Sequence, residues 1–157
     1  MLNNELRNRE ITMPVELRAL IVDDEELARR GLEIRLGSVE NLSICGHCRN
    51  GREAVEAVQE LKPNLVFLDV QMPGMDGFET LKQFAGSHMP AVVFVTAFAE
   101  HAIRAFEENA IDYLLKPIDD RRLYKAIDRV REHFAVMNAE NHRDRLLKLI
   151  CDMTGES

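Results

Sequence analysis

The chain has no apolar run approaching the ~20 residues a bilayer span needs, and its opening MLNNELRNRE lacks the apolar core of a signal peptide. Cysteine is scarce. Cys45, Cys48 and Cys151 are too few for a disulfide framework, and their odd number fits a reducing compartment. Basic charge is also short, with 20 Lys and Arg against 27 Asp and Glu, a net charge of -7. Nonspecific grip on nucleic acid comes from basic patches, so this balance argues against the chain alone holding a phosphate backbone. Internal repeats and low-complexity segments are missing. What remains is a cytosolic protein of 157 residues, 46% apolar, with material for one globular domain and one appendage.

The Cys45-Gly46-His47-Cys48 spacing is that of redox and zinc sites. Its surroundings, LSICGHC, read as a strand, in which positions three apart point to opposite faces. Zinc would need a second pair that the sequence lacks. Both thiols are therefore expected to fill core, with a redox or metal role as the alternative.

The stretch Leu65 to Gly77, LVFLDVQMPGMDG, sets the organisation of the rest. An apolar run ends in one carboxylate, Asp69, and a loop of turn residues follows; this reads as a buried strand with the acid at its carboxyl edge. Upstream, residues 1-16 form a polar extension. Leu17 to Val22 is a strand closed by Asp23-Asp24-Glu25-Glu26, which opens a helix with Leu27, Ala28, Leu32 and Leu36 inward. A second strand near Leu42 to Cys48 leads through the cap candidate Asn50 to a helix ending at Pro63. After Asp69 come a helix with Phe78, Leu81, Phe84 and Ala85, a strand Ala91 to Val95 ended by Thr96, and a weak helix over Ala99 to Glu108. A fifth strand, Tyr113 to Leu115, ends in Lys116-Pro117.

Five strands alternating with helices imply an α/β fold, a doubly wound five-stranded parallel sheet with helices on both faces. The last helix, from about Asp119, is extended. Leu123, Ile127, Val130, Phe134 and Met137 step by four and three along it, a heptad seam whose early part should pack on the sheet.

In such a sheet Asp23, Asp24, Asp69, Thr96 and Lys116 become neighbours at one edge. Clustered carboxylates repel unless a cation lies between them, and oxygen ligands suit Mg²⁺. A lysine and a hydroxyl would flank an incoming anion. Together these groups read as a phosphoryl-transfer site.

The pieces IVDDEE, FLDVQMPGMDG, VTAF and DYLLKP, in order over residues 17-135, resemble a bacterial response-regulator receiver domain. The resemblance implies a flavodoxin-like strand order 2-1-3-4-5, Asp69 as phosphoacceptor, and Mg²⁺ held by Asp23, Asp24, Asp69 and the Gln71 carbonyl. It implies phosphoryl contacts from Thr96 and Lys116, a switch role for Tyr113 and a cis Lys116-Pro117 bond. The partner implied is a sensor histidine kinase, with homodimerisation on phosphorylation. Such a chain is a phosphoacceptor rather than an enzyme, limited to slow self-phosphorylation from small donors and self-dephosphorylation. TAFAEHAIRAFEENAIDYLLKP is further similar to receivers of LytTR-type (LytR/AlgR) regulators, whose output domain binds DNA; residues 136-157 are expected to be a helical linker or tail, with that domain absent.

Each residue also has a plain role: Asp23 to Glu26 and Thr96 as helix caps, Lys116 as a surface charge, Tyr113 as core. Histidines 47, 88, 101, 133 and 142 show no ligand spacing. An aspartate-nucleophile phosphatase would also place Asp after a buried strand, but needs a general acid two residues on, where Gln71 stands. A stand-alone receiver signalling through protein contacts, or a degenerate docking module, is the other alternative.

Overall fold

The computed structural model describes residues 15-84 and 89-155. The expected N-terminal extension therefore lies outside the described residues up to residue 14, as do Ala85 and His88. Five strands, β1 (Leu17–Val22), β2 (Leu42–Cys48), β3 (Leu65–Asp69), β4 (Ala91–Thr96) and β5 (Asp112–Leu115), pair in parallel in the order β2-β1-β3-β4-β5. The connections carry α1 (Glu26–Leu36), α2 (Gly51–Leu61), α3 (Gly77–Gln83), α4 (Ala102–Glu107) and α5 (Asp120–Thr154); a 3-10 turn at Ala99–His101 leads into α4. This is the doubly wound sheet expected.

The strands are continuous apolar runs because both faces are covered. Along β1, Leu17, Ala19 and Ile21 pack with Leu32 and Leu36 of α1 and with Leu123, Ile127 and Val130 of α5. Leu20 and Val22 point the other way, into Ala54 and Val58 of α2, Phe78 and Leu81 of α3 and Ala105 of α4. Asn50, Asp76 and Asp119 cap α2, α3 and α5, their side chains accepting from the N–H groups of Glu53, Glu79 and Arg121.

Two expectations change. Leu27 is 82% exposed: it lies five residues before Leu32, about 140° round the helix, so Ala28, Leu32 and Leu36 form the inward face without it. The second concerns β2, where Ala19 pairs with Ile44 and Leu20 with Gly46, leaving Cys45 as a bulge. The extra residue cancels the expected alternation, and Cys45 and Cys48 pack against the same apolar layer. Both thiols are free, and burial raises both, Cys48 to about 12, which leaves little free thiolate for redox chemistry. The heptad seam is as expected in its early part: Leu123, Ile127 and Val130 are buried and Phe134 packs on the same core, the sheet-facing stripe of α5. From residue 135 to 155 every residue is exposed.

α5 is tied to β5 by an ion pair that the sequence did not announce. The Asp112 carboxylate has no exposed surface; it accepts from Arg122 at 2.6 and 2.8 Å and lies 3.1 Å from Arg129. Burial would raise its carboxyl, but the Arg122 hydrogen bonds, the Tyr113 N–H and both guanidinium charges hold it below the ordinary range. Among the described residues no helix is long and apolar enough to cross a membrane.

The two halves of α5 should respond differently to truncation. Ile127→Ala is expected to cost about 2–5 kcal/mol, and Ile150→Ala no more than about 0.5 kcal/mol in the monomer. Urea unfolding measures both, and equal losses would contradict this division of the helix.

Candidate functional site

β1 and β3 are neighbours at the centre of the sheet, so their carboxyl ends deliver Asp23 and Asp69 to one place. Both are 5% exposed, whereas Asp24 faces solvent. Each of the three offers one carboxylate oxygen, and those oxygens lie within 4.8 Å of one another. Lys116, just past β5, reaches across β4 to place Nζ 2.7 Å from Asp23 Oδ2 and 3.5 Å from Asp69 Oδ2. Its own N–H donates to the Thr96 carbonyl at 2.8 Å, and the Lys116-Pro117 bond is cis. Thr96 ends β4 fully buried, with Oγ1 accepting from the Phe98 N–H at 3.1 Å.

The loop after β3 turns back on the strand it leaves. Gly74 takes φ +80, a conformation glycine adopts without strain, and the Gly77 N–H donates to the Val70 carbonyl at 2.8 Å. A Cβ at Gly77 would run into the Asp69 carbonyl oxygen and come within 2.9 Å of Val70 Cα. Glycine here lets α3 start against the backbone that carries Asp69. The Gln71 N–H donates to Asp69 Oδ1 at 3.3 Å.

Asp23, Asp24, Asp69, Gln71 and Lys116 thus come together. Tyr113 is half-buried on β5, and its ring meets Phe106 edge-on at 6.3 Å and Arg122 at 5.9 Å. Sequence reasoning passed over His101, whose ring lies edge-on to both Phe98 and Phe78; a lone histidine in a weak helix gave no signal of this.

The charges are unbalanced, three acids against one ammonium. Burial first, then the Asp23 charge, push the Asp69 carboxyl up to about 7, against the pull of Lys116 and the Gln71 N–H. Burial would lower Lys116, but the Asp23 hydrogen bond and the charges of Asp69 and Asp23 outweigh it and raise the ammonium. Asp23 has both oxygens engaged, Oδ1 by the Glu25 N–H at 2.9 Å and Oδ2 by Lys116. Asp69 is held only by the longer contacts, so it keeps lone pairs available. An all-oxygen donor set with surplus negative charge fits a hard divalent cation such as Mg²⁺.

The raised Asp69 value sets a pH dependence. Its carboxyl binds a proton more tightly folded than unfolded, so the stabilisation it gives is complete below about pH 4 and is lost as pH rises through about 7. Asp69→Asn should therefore gain stability over the native chain between pH 5 and 8 in metal-free buffer, by roughly 2–4 kcal/mol. Millimolar Mg²⁺ should narrow the gap. A difference independent of both pH and Mg²⁺, measured by urea unfolding, would contradict this electrostatic account.

The response regulator receiver domain family matches residues 19–128. The chain is 49% identical over 116 residues to the transcriptional regulatory protein BtsR of Salmonella typhi, an alignment covering 74% of this chain and 48% of that protein. It is 45% identical over 118 residues to an uncharacterized response regulatory protein of Vibrio cholerae, covering 74% and 50%. The chain thus spans about half the length of the curated relatives it matches. Among solved structures, the response regulatory domain of protein mrkE from Klebsiella pneumoniae aligns with a TM-score of 0.67 at 32% identity, over 73% of this chain and 94% of that one. The REC domain of AraT, a response regulator from Geobacillus stearothermophilus, gives 0.67 at 29% identity over 79% and 99%. Strand order, family match and relatives agree, and the chain belongs to the response regulator receiver domains of two-component systems.

Proposed function

We propose that the chain is a phosphoacceptor switch in which Asp69 takes a phosphoryl group from a sensor histidine kinase. The observation that carries this reading is a buried, loosely held carboxylate beside a lysine and two further acids. An Asp69 oxygen attacks phosphorus and forms a P–O bond. The donor phosphohistidine carries a proton on its other ring nitrogen; its P–N bond breaks, the electron pair returns to the ring, and neutral imidazole leaves. Asp23, Asp24, Asp69 and the Gln71 carbonyl would hold Mg²⁺, which when bound supplies positive charge to the phosphoryl oxygens. Lys116 can pass from the carboxylates to a phosphoryl oxygen, and the Thr96 hydroxyl, whose oxygen only accepts from Phe98, has its proton to donate.

The energetics suffice for a switch. Two charge-assisted hydrogen bonds contribute roughly 3–6 kcal/mol, against about 5.5 kcal/mol to invert a 1:99 equilibrium. Tyr113 is the switch residue in this reading. Residues 17-135 act as the receiver and residues 136-157 as a helical linker or tail. Exposed Ile103 and Phe106 on α4 and Leu115 on β5 support homodimerisation on phosphorylation, when the end of the sheet and α5 repack. The stretch from Thr96 to Pro117 supports a regulator of LytTR type acting in the cytoplasm, with DNA contacted only through an output domain. The relatives' name, transcriptional regulatory protein, supports the same output. A phosphatase is disfavoured, because Gln71 offers no general acid.

Acetyl phosphate with Mg²⁺ should add one phosphoryl mass to the native chain and none to Asp69→Asn, and sedimentation should show the labelled native chain shifted toward dimer. Equal labelling of both proteins would refute the assignment.

A further inference from the structure

Thr96 is anchored through its neighbour. Its Oγ1 accepts from the Phe98 N–H, so any movement of the hydroxyl toward Asp69 draws on the Phe98 turn. Phe98 in turn abuts His101: their ring centroids lie 5.9 Å apart at 78°, and the His101 N–H donates to the Phe98 carbonyl at 3.3 Å. On its other side His101 meets Phe78 at 6.0 Å and 64°. Phe78 does not yield, being 1% exposed, 4.8 Å from Phe94 and covered by the Arg104 guanidinium at 4.2 Å. It also follows Gly77, which is packed against the Asp69 backbone. The imidazole is thus a wedge between a fixed ring on α3 and the turn that carries Thr96.

The wedge holds with moderate strength. Edge-to-face aromatic contacts add a modest gain beyond burial, while His101 Nε2 is occluded and no group among the described residues reaches it with a hydrogen bond. A buried polar atom without a partner is destabilising, and release would recover that loss. His101 and Arg104 also line a cavity of about 390 Å³ with Gln71, Met72 and Pro73, so the ring has space to enter beside the Asp69 loop.

We propose that His101 is a positioning residue that latches the Thr96–Phe98 turn in its resting place, so that stable acceptance of a phosphoryl group at Asp69 requires the imidazole to leave its slot between Phe78 and Phe98. The inference rests on the phosphoacceptor reading above. It predicts opposite effects for two substitutions. His101→Ala removes the wedge, frees the turn and raises the fraction of chain able to accept phosphate; His101→Phe keeps the ring and removes the stranded nitrogen, tightening the latch.

The test is the initial rate of acetyl phosphate labelling of the full chain with Mg²⁺, followed by intact mass, with urea unfolding of each protein alongside. Labelling should rise roughly fivefold in His101→Ala and fall roughly fivefold in His101→Phe. Loss of structural integrity alone would slow the alanine variant. Equal rates in all three proteins, or a change of the same sign in both variants, would overturn the latch while leaving the phosphoacceptor reading intact. If none of the three proteins takes label, the underlying reading fails and the latch with it.

Discussion

Lys116 stands 2.7 Å from an Asp23 oxygen and 3.5 Å from an Asp69 oxygen, and its single charge cannot balance the three carboxylates gathered there. Much of the structure serves to keep that imbalance in place. Acids this close repel, and separating them would relieve the repulsion. They stay because β1 and β3 are hydrogen-bonded neighbours with apolar side chains packed on both faces. Parallel pairing brings every carboxyl end to the same edge, which is how residues 93 positions apart come to share a hydrogen bond. The surplus charge gives the cluster its chemistry: it suits a divalent cation, and it keeps one carboxylate less firmly bound than its neighbour.

A chain of contacts links this cluster to the far end of the molecule. The Lys116 N–H holds the Thr96 carbonyl, joining the ends of β5 and β4. At the other end of β5, buried Asp112 is clamped by Arg122 and Arg129 from α5. Tyr113 lies between these anchors, with Arg122 and Phe106 against its ring. A shift of Thr96 or Lys116 toward Asp69 would therefore load β5 and, through the ion pair, the first turns of α5. The same helix carries the exposed segment beyond residue 134, where its stripe loses contact with the core. Contact alone is spatial, and coupling needs a two-state element at its origin; the Thr96–Phe98 turn, held by the Phe98 N–H on Thr96 Oγ1, is the one proposed above.

The sequence made the sheet legible because burial on both faces writes strands as unbroken apolar runs, and it made the site legible because acids and a lysine follow those runs directly. The Asn50 cap was readable from local sequence as well. The parts that were not legible depend on geometry the letters do not carry. A single bulge at Cys45 reverses the face assigned to a thiol, and five-residue spacing turns Leu27 outward. The Asp112–Arg122 pair joins a strand to a helix across a cis turn, with no periodicity to reveal it. His101 acquires its neighbours only when α3 and the turn before α4 pack together.

The central claim, that Asp69 is the carboxylate which accepts phosphate, is tested most directly by trapping the acyl phosphate with borohydride after phosphodonor treatment and mapping the peptides. Reduction converts a phosphorylated aspartate to homoserine, and the account predicts that product at position 69 alone. Homoserine at Asp23 or Asp24, whose environments differ in hydrogen bonding and exposure, would contradict it, as would its absence from the whole cluster.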